Sequence, residues 1–335
     1  MELLEIPVAG APMAGGPSTP ALAAAVSEAG GLGFLAAGYK SVAEVERQVA
    51  EVRAATARPF GVNVFVPSSP HADEEAIARY AAALAGEAKR YGVELGEPRW
   101  DDDGWEAKLE FVARERPAAV SFTFGCPNRE VVASLQAADV SVWCTITTVG
   151  EARLAAAAGV DALVVQGAEA GGHQGSFADT DEPPAALRDL LPLVRAATDL
   201  PLVAAGGITD GAGVAAVLAA GASAAQVGSA LLLTPEAGTS APQRAALAAD
   251  APTVLTRAFT GRRARGIVNR FIREHEPLAP RAYPQVHHLT APVRTAARTA
   301  GDADGVNLFA GRAYRQAEKT PAAELVLRWA ADARS

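Results

Sequence analysis

The chain has 335 residues, half of them hydrophobic and a fifth charged, which is enough apolar material for one large packed core. Its formal net charge of -8 argues against a sequence-independent nucleic-acid binder, which needs a basic surface, so no nucleic-acid partner is expected. No apolar run reaches the ~18 residues of a membrane span, and Cys126 and Cys144 fall outside any metal-ligand spacing, so no membrane association, disulfide framework or metal site is expected. Residues 1–8 carry two acids and no basic stretch, so a secretory signal is not expected and a cytoplasmic location is.

Short apolar runs bounded by Gly or Pro predict strands over 8–13, 31–36, 60–66 and 119–124, then 140–145, 162–166, 200–204 and 225–229. Alanine-rich stretches of helical period lie between them. Ser18, Thr19 and Pro20 supply cap residues ahead of the first helix, and Gly30 ends it. Ser41 precedes the second, whose Val42, Val45, Val49 and Val52 share one face. Thr148 or Gly150 opens a helix that Gly159 stops, and Thr209-Asp210 opens one ended by Gly221. Strands alternating with helices in this way predict a (β/α)8 TIM barrel, with an open doubly wound sheet as the alternative.

Two regions break the repeat. Residues 67–117 read as an insertion after the third strand, with a helical stretch at 74–91 and an acidic run, Asp101-Asp102-Asp103, expected at a helix N-terminus. The segment from about 256 to 335 is too long for barrel trim. The organisation expected is a barrel over 1–255 with a C-terminal capping segment over 256–335 packed on it. Arg262, Arg263, Arg265, Arg270 and Arg273 in that segment suit either an ion-paired face or an anion site.

In such a barrel the active site lies at the C-terminal ends of the strands. Ala11, Pro12 and Met13 end the first strand. Gly206-Gly207 and Gln226-Val227-Gly228-Ser229 end the seventh and eighth, where barrels commonly bind phosphate through backbone N–H groups. Asn63, Gln166 and Gln226 place amides in otherwise apolar strands. A buried amide is costly unless hydrogen-bonded, and either mutual pairing or a ring with alternating donors and acceptors, such as a flavin, would satisfy these. After the sixth strand, Gly171-Gly172-His173 sets an imidazole between glycines, as expected for a loop around a ligand with a catalytic histidine. His71, His275, His287 and His288 lie in Pro-rich or polar surroundings and are expected at the surface.

The segments Ala11-Pro12-Met13-Ala14-Gly15-Gly16, Gly61-Val62-Asn63-Val64-Phe65, Ser121-Phe122-Thr123-Phe124-Gly125 and Gln166 to Gly175 follow one another in this order. Ala204 to Ile208, Ala225 to Ala230 and Thr260-Gly261-Arg262-Arg263 complete the set. Together they resemble the nitronate monooxygenases, which are FMN-dependent TIM barrels. The resemblance implies oxidation of alkyl nitronates, such as propionate 3-nitronate, by O2 to a carbonyl compound and nitrite. The partners it implies are a small nitronate or nitroalkane and O2. It further implies that Ala11, Pro12 and Met13 face the FMN and that Asn63 and Gln166 contact it. Gly171, Gly172, Gly206, Gly207 and the segment Gln226, Val227, Gly228 and Ser229 would hold its ring, ribityl chain and phosphate, with His173 as the active-site histidine. Many members carry a histidine where this chain has Thr123. FMN-dependent NAD(P)H oxidoreductases of the quinone or enoyl-acyl-carrier reductase type share a Gly-Gly-His segment and are the alternative. A flavin-free phosphate-binding isomerase or lyase finds no lysine at a strand end and no carboxylate pair to support it.

Overall fold

Eight short apolar segments pair side by side as parallel strands in the computed structural model, which describes residues 3–334. They are β1 (Val8–Gly10), β2 (Gly33–Ala36), β3 (Phe60–Phe65) and β4 (Ala119–Thr123), followed by β5 (Ser141–Ile146), β6 (Ala162–Gln166), β7 (Leu202–Ala205) and β8 (Ala224–Val227). From β2 to β8 each pairs with the next in sequence, and β1 pairs with β8. The ring closes between β1 and β2 through a bridge of Ala9 to Leu32, where the Gly10 N–H donates to Leu32 O at 2.9 Å. The (β/α)8 barrel expected from the strand spacing is therefore the fold.

A parallel sheet is covered on both faces, so its strands are apolar throughout rather than alternating. Inside the ring the volume is filled unevenly. Ala9, Ala119, Ala162 and Ala224 are small, which leaves room for Phe34 and Trp143, whose ring centroids lie 5.4 Å apart. Gly61 belongs to the same adjustment, because a Cβ there would meet the Phe34 ring at 2.3 Å. Outside the ring, the capped helices lie where the sequence places them. The Thr19 hydroxyl accepts from the Leu22 N–H, Ser41 and Glu44 form a capping box, and Asp210 caps Gly211–Ala219.

Both irregular regions differ in part from expectation. Helices Glu74–Ala83 and Ala85–Tyr91 do stand outside the barrel, where Ile77, Tyr80 and Leu84 share a second apolar core with Phe259, Phe271 and Val286 of the capping segment. Helix Trp105–Glu115, however, packs on β3 and against helices Val42–Ala55 and Arg129–Ala137, so it serves as the barrel helix between β3 and β4. The acidic run precedes that helix without capping it: Asp103 accepts from the Tyr39 N–H at 2.9 Å and pairs with buried Lys108 at 2.7 Å. At the other end of the chain, helix Ala322–Asp332 packs between Pro20–Glu28 and Gly211–Ala219. It completes the ring of helices next to β8. The last helix of the capping segment is thus barrel wall, and the cap proper ends before it. Among the described residues, no helix is long and apolar enough to cross a membrane.

Trp329 tests that placement. It is 2% exposed and sits in the main core beneath the first and last barrel helices. Trp329→Ala is expected to lower the unfolding free energy by about 3–5 kcal/mol in a denaturant titration, the cost of emptying a core tryptophan site. A loss below about 1 kcal/mol would place the final helix outside the cooperative barrel.

Candidate active site

A cavity of about 750 Å³ opens at the C-terminal ends of the strands. Its barrel side is built from residues singled out in the sequence: Ala11, Pro12 and Met13 after β1, Asn63 on β3, Gln166 closing β6, and Gln226 on β8. Gly171, Gly172 and His173 border it, as do Gly206, Gly207, Gly228 and Ser229. Val227 is the exception: it points into the main core at 1% exposure, as strand alternation requires with Gln226 facing the cavity. Gly206 and Gly207 have φ of 113° and 75°, a conformation that side chains disfavour and that turns the backbone toward the cavity.

His173 is held from two sides. Its own short strand, Gly172–His173, pairs antiparallel with Ala264–Ile267 of the capping segment, Ala264 lying opposite His173. Gln166 braces the loop from below, donating to His173 O at 3.1 Å and accepting from the Gly175 N–H at 2.7 Å. The imidazole Nε2 lies 2.9 Å from Thr260 Oγ1, and that hydroxyl donates its one proton to Arg262 O at 3.1 Å. Nε2 therefore carries the hydrogen and Nδ1 the lone pair, a tautomer set by the network. The rings of Phe124, Tyr283 and Phe309 meet the imidazole edge-on at centroid distances of 5.4–5.8 Å. Burial among them, together with the positive charges of Arg262 and Arg294, depresses the His173 pKa to about 3, so the imidazole is neutral.

The amides divide by function. Asn63 Nδ2 donates to Ser121 O, Ser121 Oγ and Thr123 Oγ1 at 2.9–3.0 Å, so its amide nitrogen ties β3 to β4. Gln166 is committed to the His173 loop. Gln226 is different: its Nε2 is buried, borders the cavity and has no partner among the described residues. The N–H groups of Gly207, Gly228 and Ser229 likewise meet no protein acceptor among the described residues.

The roof comes from the capping segment, and it corrects three expectations about histidine. His287 borders the cavity and stacks on Tyr39 with centroids 3.9 Å apart and planes 6° from parallel. Arg294 donates to its Nδ1 and its carbonyl oxygen, and burial pushes its pKa far down, so it too is neutral. His288 is half-buried against Asp101 at 2.7 Å, and His275 is buried beside Glu87 at 3.4 Å. His71 is exposed as expected. The arginine cluster is not one face. Arg262 is 4% exposed with its guanidinium 4.2 Å above the Phe124 ring, Arg265 donates to Ala168 O at 2.8 Å, and Arg270 pairs with Glu87 and Glu274. Nothing in the local sequence marks Thr260, His287 or Arg294 as cavity residues, although Thr260 opens one of the quoted segments.

The sequence model of the family described as nitronate monooxygenase matches residues 1–331. The chain belongs to the nitronate monooxygenase family. As a member it is an oxidoreductase. A probable nitronate monooxygenase of Staphylococcus aureus (strain Newman) is 37% identical over 329 residues, spanning 95% of this chain and 92% of that protein. A solved nitroalkane oxidase from Streptomyces ansochromogenes superposes with a TM-score of 0.97 at 52% identity, covering 99% of this chain and 97% of that one. The structure of FabK from Thermotoga maritima is also similar, with a TM-score of 0.77, 26% identity and coverage of 99% and 94%.

The neutral imidazole has a consequence for stability. The folded-state pKa near 3 lies below the ordinary histidine value of about 6.5, so below pH 6.5 the unfolded chain binds the extra proton. This group therefore costs nothing above that pH and destabilises the fold progressively as pH falls toward 3. Replacing it by Gln removes the effect. The difference in unfolding free energy between parent and His173→Gln is expected to move against the parent between pH 7 and pH 4 in denaturant titrations. A difference independent of pH would mean that the imidazole is not held neutral.

Proposed function

We propose that this protein oxidises alkyl nitronates with O2 to a carbonyl compound and nitrite, using FMN bound in the cavity. The observation that carries the reading is electrostatic: the cavity places a neutral imidazole beside positive charge and, among the described residues, puts no carboxylate against Arg294. A site of this kind favours an anion over its neutral conjugate acid. The nitronate is the anion; the nitroalkane is the neutral acid.

The family implies a flavin, and the residues present fit FMN. A volume of about 750 Å³ is of the size that holds a cofactor. The unpartnered Gln226 Nε2 offers a donor to a ring acceptor, and the free N–H groups of Gly207, Gly228 and Ser229 offer donors to a phosphate. Bound there, the flavin supplies the electron acceptor that no side chain of the cavity can.

The chain's own contributions are binding, exclusion of water and management of one proton. Phe124, Tyr283 and Phe309 shield the imidazole, which strengthens every charge interaction beside it. With a pKa near 3, His173 is a weak base toward a neutral nitroalkane. An arriving anion raises that pKa and favours the imidazolium form, whose Nδ1–H can donate a hydrogen bond to a nitronate oxygen while the proton stays on the ring. Thr260, bonded to Nε2, leaves Nδ1 as the nitrogen available for that contact.

Two measurements test this reading. Oxygen uptake with a nitroalkane and with its pre-formed nitronate is expected to show kcat/KM at least about 100-fold higher for the nitronate; equal values would mean that His173 works as a strong base. His173→Gln is expected to lose about 10- to 100-fold in kcat/KM on the nitronate, the worth of a charge-assisted hydrogen bond, and an unchanged value removes His173 from catalysis. The similarity to FabK supports an NAD(P)H-dependent reductase as the second reading. Anaerobic mixing with NADH or NADPH separates them: rapid bleaching of the flavin would make reduction by NAD(P)H the main activity, and the nitronate reading expects none.

A further inference from the structure

Tyr39 follows β2 and lines the cavity with its backbone at φ 67°, a conformation that a bulky side chain disfavours. Asp103, itself at φ 56°, holds it there: its Oδ1 accepts from the Tyr39 N–H at 2.9 Å, and its carboxylate pairs with buried Lys108 at 2.7 Å. The Tyr39 ring is then fixed on three sides. It stacks on His287 at 3.9 Å and meets Phe65 and Tyr283 edge-on at 5.4 and 6.5 Å. Strain of this kind persists only where the surroundings over-determine it, and it collects at sites that hold ligands.

What this ring carries is a phenol with a spare proton. The Tyr283 hydroxyl donates to the Tyr39 oxygen at 3.1 Å, so the Tyr39 O–H is left to point elsewhere, and among the described residues no protein acceptor takes it. Burial holds the Tyr39 pKa well above its ordinary value, so the phenol keeps that proton near neutral pH. A shielded donor without an acceptor is costly, and a ligand in the cavity would supply one. His173 stands close by. The Tyr283 ring meets the imidazole at 5.8 Å as well as Tyr39, and along the wall Phe65 and Phe124 join the two residues through contacts of 5.4, 4.7 and 5.5 Å. The side chains that join them are aromatic, so a small ligand there meets two polar atoms, Nδ1 of His173 and the hydroxyl of Tyr39.

We propose that Tyr39 is a substrate-binding residue that donates a hydrogen bond to the nitronate oxygen His173 does not take, with Tyr283 as the positioning residue that turns the Tyr39 proton into the cavity. A nitronate spreads one negative charge over two oxygens, and two donors from different elements hold both and fix the plane of the group. Donation to an anion is stronger than donation to a neutral group. Oxidation withdraws that charge, so the hydrogen bond is worth most to the bound nitronate itself, and Tyr39 contributes affinity rather than rate. This assignment deepens the nitronate reading and rests on it for the identity of the acceptor.

The test uses the FMN-loaded protein and measures turnover of propane 2-nitronate together with nitrite binding, read from its perturbation of the flavin spectrum. Tyr39→Phe keeps the ring and its stack on His287 and removes only the hydroxyl. It is expected to weaken nitrite about tenfold or more and to raise the nitronate KM by a similar factor, in line with a hydrogen bond to a charged group, while kcat stays within about threefold. Tyr283→Phe leaves the Tyr39 proton in place and is expected to cost no more than about threefold in each. The double variant Tyr39→Phe/Tyr283→Phe leaves no orphaned donor and is expected to match Tyr39→Phe; it carries the test if the single variant does not fold. Equal losses in Tyr39→Phe and Tyr283→Phe would make the pair a structural bond only and overturn the assignment, as would a fall in kcat with KM unchanged. Weaker nitrite binding in Tyr39→Phe supports the assignment even where the parent does not oxidise the nitronate, a result that counts against the nitronate reading alone. Nitrite binding unaltered by the substitution, or absent from the parent, overturns it.

Discussion

The hydrogen bond between His173 Nε2 and Thr260 Oγ1 joins two parts of the chain that are 87 residues apart: the loop after the sixth barrel strand and the segment that roofs the barrel. It is reinforced by the pairing of His173 with Ala264 and by the grip of Gln166 on the loop from below. Because Thr260 gives its proton to Arg262 O, the bond fixes which imidazole nitrogen carries hydrogen as well as where the ring lies. Loosening the roof would free the loop, rotate the ring and admit water together.

Roofing the site has an electrostatic price. Aromatic rings and helix Gln285–Thr299 exclude solvent, and the charges brought in with them are positive. Arg262 stacks over Phe124, and among the described residues Arg294 has no carboxylate partner. Burial is the main reason that both His173 and His287 are neutral, and in a poorly solvated cavity these positive charges add to it. The same potential lowers the cost of bringing in an anion. The positive charges that add to the suppression of the histidine charge therefore also favour an anionic substrate.

The barrel was legible because its signals are local. Strands of four to eight apolar residues closed by Gly or Pro, and helices opened by Thr19, Ser41, Thr148 and Asp210, carry their structure in short windows. Glycines and amides at strand ends also pointed correctly to the cavity wall, since in this architecture strand ends converge on one face. What local pattern cannot show is how a remote segment docks. His287 and Arg294 belong to an amphipathic helix whose sequence says which face is apolar, not that its polar edge overhangs a cavity. The last helix was misplaced for the same reason: its partners, Pro20–Glu28 and Gly211–Ala219, are distant in sequence. Asn63 and Gln166 were correctly placed at the cavity, but their amide nitrogens bond to protein, an outcome that pairing across β3–β4 and around the loop decides.

The central claim is that burial, helped by the positive charges of Arg262 and Arg294, keeps His173 neutral until an anion arrives and raises its proton affinity. Proton uptake on binding nitrite, the anionic product, tests it most directly. Titration calorimetry at pH 7 in buffers of different ionisation enthalpy reads the number of protons exchanged. The account predicts fractional proton uptake on nitrite binding by the FMN-loaded protein, growing as pH is lowered from 7 toward 5 and abolished in His173→Gln. Nitrite binding with no proton uptake, or with the same uptake in the variant, would contradict it.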